Sequence, residues 1–594
     1  MLVERVRSEV RAAREAIVAA IEGRNIPTVG GVGRLSRLRP LRLGLLAFGT
    51  LGLGGCTALT FASGENCETN ADCLALGAGF ENSICSPEAQ ICVDASDLGC
   101  TASSECIASL GTETARCVDR ACVNLVSPDC SSVEPVTAVA DDDAIIIGWM
   151  GALEGDFASI GVPIQQATRL AVEEFNDRAS GGLPGGAGGA RRPLVLLSCH
   201  DLADESGLRA ARHLVDTVKV PAIVGPLFSS ISLNVIGDVT IPAEVLTISP
   251  SATSPTFTDF PDDGLHWRTV PSDALQAVPL AALVSQVEDR LRADMTLMAG
   301  EDLRVVTVSN GGAYGQGLRD GLNDQVAFNG KSAAENLTDG NYTLLSYDDP
   351  AENSDVDLSG VVNEILRLEP PPHLVVALGT NEIIDREGDQ EGIVSLLESQ
   401  WASLPGTPPR PYYLFPDGGK VDELLALGEA DTSTPPLAAR VRGTAGSGAI
   451  DNPRFEAFTL RYQSRFNASP GIYSENAYDA LYLLAYGILA AGEGALTGPF
   501  IASGLERMSD GPRVDTGPNN INATANALVG GGSIDYQGAS GPLDFNNETG
   551  EAPSNIEVWC LGRNNQNEVV FDSSAQFYEA ATDRVVGVDD CTTM

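Results

Sequence analysis

From Ala144 onward the chain alternates short apolar runs with stretches of helical periodicity, an order that few architectures accommodate. "AIIIG" (144–148) is followed by "PIQQATRLAVEEFNDRA", in which Ile164, Ala167, Ala171 and Phe175 share one helical face. "LVLLS" (194–198), an amphipathic stretch carrying Leu208, Ala211, Val215 and Val218, "AIVG" (222–225), a segment around 229–239 and "VLTI" (245–248) continue the alternation. It restarts at "RVVTV" (304–308) and runs through "LVVAL" (374–378) to "YYLF" (412–415). The pattern predicts an α/β fold of two lobes, each a doubly wound parallel sheet with helices on both faces. Lobe one is expected over 144–270 plus segments that return later, and lobe two from about Pro271. "AYDALYLLAYGILAA" (477–491) reads as a helix completing one of them. The glycine-rich "GGLPGGAGG" (181–189) follows a helix and precedes a strand, the reverse of the order a dinucleotide loop requires, so it reads as a connection.

The region before Ala144 has a different character. Of thirteen cysteines, eight form a repeat: Cys67, Cys73, Cys85 and Cys92, then Cys100, Cys106, Cys117 and Cys122, each copy ending in Cys-Val. No histidine and no Cys-x-x-Cys pair accompanies them, which favours disulfides over zinc. Pairing within each copy is expected, giving a small disulfide-rich module over 67–130. Cys130, Cys199, Cys560 and Cys591 remain to pair among themselves. The polar, acidic "SSVEPVTAVADDD" that follows Cys130 reads as a linker, 131–143.

Residues 34–56, "RLSRLRPLRLGLLAFGTLGLGGC", show arginines, a short apolar core from Leu43 to Leu53 and a small pair before Cys56. That core is too short for a permanent membrane helix, which needs ~20 residues, and reads as an export signal. The ending "LGGC" resembles the lipobox of bacterial lipoproteins, which implies cleavage before Cys56, a lipid on its sulfur and a tether over 56–66. Residues 1–33 are expected to be a mis-assigned extension. Removing residues 1–55 leaves 28 basic and 76 acidic residues. So acidic a chain is a poor partner for nucleic acid, and its contact with a membrane would rest on the acyl chains.

In an open α/β sheet, ligands sit beyond the carboxyl ends of the strands. In lobe one those loops are 149–161, "PLFSS" (226–230) and "SPSATSP" (249–255). Ser229 stands where a helix should begin, with backbone amides facing outward. Ser230, Ser251, Ala252 and Thr253 are counted with it as candidate ligand-binding residues. In lobe two, "SNGGAYGQG" (309–317), "GTNEI" (379–383) and "PDGG" (416–419) bring Tyr314, Thr380 and Asp417. A carboxylate facing an amide cluster suits a zwitterion, although Asp417 taken alone is equally a turn residue.

"IIIGWMGALEGDFASIGVPIQQATRLAVEEFN", "IVGPLFSS", "TISPSATSPTFTD", "WRTVPSDALQ", "AYGQGLRDGL" and "GPLDFNNETG" resemble, in order from about Ala144 to Gly550, the type I periplasmic solute-binding proteins of the branched-chain amino acid class. The resemblance implies a binding domain over 144–594 that closes two lobes around a small-molecule ligand and hands it to the permease of an ATP-driven (ABC) importer. It implies that Ser229 binds the ligand carboxylate, that Ser251 offers backbone contacts, that Thr253 bonds both ends of the ligand, that Tyr314 is a cleft tyrosine and that Asp417 replaces a glutamate binding the ammonium. Ile160 and Thr380 stand where cleft tyrosines are common, which implies a roomier pocket. Ala203 and Phe228 occupy positions that carry a disulfide in relatives.

The four histidines, His200, His213, His266 and His373, lie at no metal-ligand spacing, and no Gly-x-Ser-x-Gly or His-Glu-x-x-His motif occurs. His200 beside Asp201 reads as a structural histidine. The sequence therefore predicts a binding protein with no cofactor rather than an enzyme. The alternative is a sensor or envelope-regulatory lipoprotein on the same fold, for which the cysteine module is the argument.

Overall fold

Ile145–Gly151, buried at every position, is the strand around which the first sheet is built. The computed structural model describes residues 67, 73, 83–85, 92–94, 99–177, 181–185, 190–202, 204–353, 356–385, 391–446 and 452–591. Cys56, the export signal and Ala203 lie outside these, as does the side chain of Cys85.

The first sheet has the spatial order 266–268, 246–249, 222–224, 145–151, 194–200, 130–134. The first five strands are parallel. Chain order reverses between 145–151 and 222–224, which opens a crevice at the carboxyl ends of those two strands. Ile164, Ala167, Ala171 and Phe175 lie on the helix Ala158–Asn176, all without exposed surface, as their spacing predicts.

The second sheet runs 342–347, 305–310, 374–378, 412–415, 441–446, 556–563, 569–579, 584–586. Its first five strands are parallel and repeat the winding of lobe one, so a second crevice opens beyond 305–310 and 374–378. The last three strands are antiparallel, which makes this sheet mixed rather than purely parallel. Hairpin connections suffice for such strands, and the sequence there lacks the intervening helical periodicity.

The chain enters lobe two after Arg268, where the helix Asp273–Ala293 packs on that lobe's strands, and returns after Gly446. The helix Ser474–Ala491 completes lobe one: it packs along Ala158–Asn176 and is buried through Ala490. Tyr478, Tyr482 and Tyr486 stack along it against Phe175 and one another.

Segment 131–143 is not a free linker. Cys130–Glu134 is a strand paired antiparallel to Leu194–His200, and a 3-10 turn follows at Val136–Ala138. Polar residues mislead here because this is an edge strand, with only one neighbour and an accessible face. Cys130 pairs with Cys199, and Cys560 with Cys591. Within the repeats, Cys73 pairs with Cys92, Cys100 with Cys117 and Cys106 with Cys122, and Cys67 is also disulfide-bonded. The second repeat is fixed to lobe one. The Arg116 guanidinium, 9% exposed, donates to the carbonyls of Val139, Asp141, Asp142 and Ala144 at 2.8–3.1 Å. Asp129 pairs with Arg209, and His213 Nε2 bonds the Leu125 carbonyl. No helix among the described residues is long and apolar enough to cross a membrane.

Candidate functional site

The two crevices face each other and enclose about 540 Å³, part of it open to solvent. Lobe one contributes Ile160, Leu227, Phe228, Ser229 and Ser251; lobe two contributes Asn310, Tyr314, Asp349, Ala351, Thr380, Asp417 and Gly418; Ile472 and Tyr473 close the hinge side. Six of the nine candidate binding residues therefore share one cleft: Ile160, Ser229, Ser251, Tyr314, Thr380 and Asp417.

Ser229 is the first residue of the helix Ser229–Val235, as expected. Its hydroxyl oxygen accepts from the Ser254 amide at 3.2 Å, which leaves its hydrogen to donate. Ser251 Oγ donates to the Leu227 carbonyl at 2.9 Å. Opposite, Tyr314 OH donates to Asp417 Oδ1 at 2.7 Å and accepts from the Gly418 amide at 3.2 Å. Burial raises the Asp417 carboxyl above the ordinary range, opposed by its bond from Tyr314. Burial likewise raises the Tyr314 hydroxyl, reinforced by the Asp417 charge. Thr380 lines the cleft with its hydroxyl hydrogen committed to Glu382.

Ser230, Ala252 and Thr253 are not on the cleft wall. Ser230 bridges the lobes: its Oγ donates to Asp349 Oδ2 and accepts from the Ala313 amide, both at 3.0 Å. Ala252, fully buried, packs with Ile236 and Phe257 because the loop turns its side chain inward. Thr253, 1% exposed, turns its hydroxyl to the buried Asp273 carboxyl rather than into the cleft. Arg268 imposes this loop shape: its buried guanidinium donates to the carbonyls of Ala252 and Ser254 and pairs with Glu551.

The lobes are closed on each other. Besides Ser230, Ser254 Oγ donates to the Ala313 carbonyl at 3.0 Å, Ser159 Oγ to Glu423 at 2.8 Å, and Asn381 Nδ2 to the Asp156 carbonyl at 2.6 Å. Gly312 makes the approach possible: a Cβ there would lie 1.9 Å from Asp349 Oδ2 and 2.6 Å from Ser230 Oγ.

The sequence did not mark Asp349, Asn310 or Tyr473 as part of the site. Asp349 is buried and its carboxyl is pushed up to about 7 by that burial. Tyr473 adopts φ 63°, in the left-handed region that favours glycine, and an aromatic residue held there carries backbone strain. With Phe228 and Tyr314 it supplies rings to the cleft, so the loss of ring positions at Ile160 and Thr380 does not leave an aromatic-poor pocket. A signal for Asn310 existed, since it ends a buried strand. Tyr473 and Asp349 are brought in by tertiary contacts alone.

A model of the periplasmic binding protein family matches residues 144–351. The chain is 32% identical over 181 residues to a Leu/Ile/Val-binding protein, BraC3, of Rhizobium johnstonii, a match covering 30% of this chain and 42% of that relative. The structure superposes on the leucine binding protein LivK of Thermotoga maritima with a TM-score of 0.51 at 18% identity, covering 72% of this chain and 98% of that one. Residues 144–351 are therefore similar to the periplasmic binding protein family, and the fold over 72% of the chain is the one seen in that leucine binding protein. The solute binding protein of an ABC transporter from Rhodopseudomonas palustris, solved with 3,4-dihydroxybenzoic acid, superposes with a TM-score of 0.50 at 15% identity, covering 74% and 98% of the two chains. The same fold thus holds different ligands, and the lining of the cleft decides which. His200 has a structural partner, its Nδ1 accepting from the Leu153 amide at 3.1 Å.

Proposed function

We propose that the protein is an extracytoplasmic binding protein that takes one small solute bearing an amino group between its lobes, for delivery to an ABC importer. The observation that carries this reading is the closed cleft, with the Ser229 and Ser251 wall facing Asp417 held by Tyr314. Ser229 and the adjoining amides suit a carboxylate or carbonyl end, and Asp417 a nitrogen that donates. The relatives' amino acid and aromatic acid ligands support a solute of that size. The disulfides support an oxidising compartment, and the lipobox-like "LGGC" supports anchoring through Cys56.

A thermal-shift screen of amino acids, their amides, short peptides and aromatic acids tests the reading. At a concentration 100 times the dissociation constant, a true ligand adds ~2.7 kcal/mol to stability. If no member of the screen raises the melting temperature, the reading is wrong. A sensor or envelope-contact role is a second reading, favoured by the second cysteine repeat being clamped to lobe one by Arg116. Deleting the gene and following uptake of the ligand separates the two: a carrier loses uptake, a sensor keeps it.

A further inference from the structure

Behind the cleft wall, where the chain crosses from lobe one to lobe two, lies a second carboxylate. Asp273 is the first residue of the helix Asp273–Ala293, 1% exposed, and no charged donor bonds either of its carboxylate oxygens. It sits against Asp417, whose charge acts on it directly. Two further buried hydroxyls turn to this pair, Thr253 from lobe one to Asp273 and Tyr473 from the hinge side to Asp417. The charged and titratable neighbours are Asp417, Arg268, Tyr314 and Tyr473, with Gln276 of the same helix beside Asp417. The Arg268 charge acts on Asp273 but offsets its burial only in part, because the guanidinium is shared with Glu551 and two loop carbonyls. The residues lining the cleft include Asp349 and Asp417 and no lysine, arginine or histidine.

Two buried carboxylates that share one site without a bonded cation are costly even when hydroxyls bond them, and a cationic guest offsets that cost where a neutral or anionic one does not. We propose that the Asp273–Asp417 pair makes the cleft selective for solutes of net positive charge, such as amines whose carboxylate is absent or masked as an amide. Asp417 meets the cationic nitrogen and Asp273 acts through it as a positioning residue. This deepens the solute-binding reading and rests on it.

Without a guest, both carboxyls are held above their ordinary range by burial, Asp273 further by the Asp417 charge. On binding, the ammonium takes the place of the proton: the carboxylic acid becomes a carboxylate paired with R-NH3+, and one H+ leaves to buffer. Wherever the pair holds a proton, binding should therefore release up to one proton.

The test is isothermal titration of the full chain, in two buffers of different ionisation enthalpy, with leucine, leucinamide, alaninamide, phenylalaninamide and 3,4-dihydroxybenzoate. The expected result is that leucinamide binds at least about tenfold more tightly than leucine, with proton release. In Asp273→Asn, isosteric and expected to keep the unliganded melting temperature or raise it, the preference shrinks and the proton release is lost. Asp417→Asn should abolish the preference altogether. Tighter binding of leucine or dihydroxybenzoate than of any amide overturns the inference and leaves the solute-binding reading standing. So does a preference and proton count unchanged in both variants. No binding by any probe overturns both.

Discussion

The two walls of the cleft are built by the same winding yet carry opposite chemistry. Lobe one presents Ile160, Leu227, Phe228, Ser229 and Ser251, with no formal charge. Lobe two presents both cleft carboxylates, Asp349 and Asp417. Lobe one is also the half tied to the cysteine module, through Arg116, Asp129 and the Cys130–Cys199 bridge. The difference teaches that one winding can carry neutral donors on one wall and carboxylates on the other; on the proposed reading, closure brings up the charge that selects the guest.

That contrast can be broken most strongly at Asp417. Charge-assisted bonds are worth ~1.5–3 kcal/mol, so Asp417→Ala should weaken an amine ligand by about 10- to 150-fold, whereas Ser229→Ala removes a neutral bond and costs about 2- to 12-fold. Equal losses, measured by titration, would remove the asymmetry. Next in size is closure itself. Gly312→Ala places a methyl in the Ser230–Asp349 contact, and overpacking of ~1–3 kcal/mol should weaken every ligand by about 5- to 150-fold. Small-angle scattering should show that variant more open with ligand than the wild type.

A smaller effect separates the two walls by pH. The Asp349 carboxyl titrates at about 7 in the closed fold against 3.8 unperturbed, so the folded state binds the proton more tightly. Its contribution is therefore most favourable at acid pH and falls as pH rises from about 4 to about 7, by at most ~1.4 kcal/mol per unit. Asp201 and Glu475, also raised to about 7, add the same trend in either protein. The difference in melting temperature between wild type and Asp349→Asn isolates the one group: the variant should gain relative stability from pH 5 to pH 8. A parallel pair of curves would place the Asp349 carboxylate in water instead. Smallest is Tyr314→Phe, which removes a neutral donor to Asp417 and should cost about 2- to 12-fold in affinity while shifting the binding pH profile upward.

Much of this fold is local. Strands buried on both faces announce themselves as unbroken apolar runs, and the face of Ile164, Ala167, Ala171 and Phe175 follows from a period of 3.6. Loops at the carboxyl ends of those strands border the crevice, which is why Ser229, Tyr314 and Asp417 could be expected to line one cleft. Cysteine pairing within the second repeat is local too, with separations of 17 and 16 residues.

Other features depend on partners far apart in the chain. Ser230 meets Asp349 across 119 residues, Asn381 reaches Asp156 across 225, and the helix Ser474–Ala491 finds its face on a helix three hundred residues earlier. Polar Cys130–Glu134 becomes a strand only because Leu194–His200 offers it an edge. The sequence by itself determined two wound lobes, their loops and the kinds of side chain those loops hold, because periodicity and turn chemistry act over a few residues. Only the tertiary structure decided that Ser230 and Thr253 leave the cleft wall, that Tyr473 joins it and that Asp273 stands behind Asp417. Burial, closure and the pairing of charges are properties of surfaces meeting, and no local pattern encodes which surface arrives.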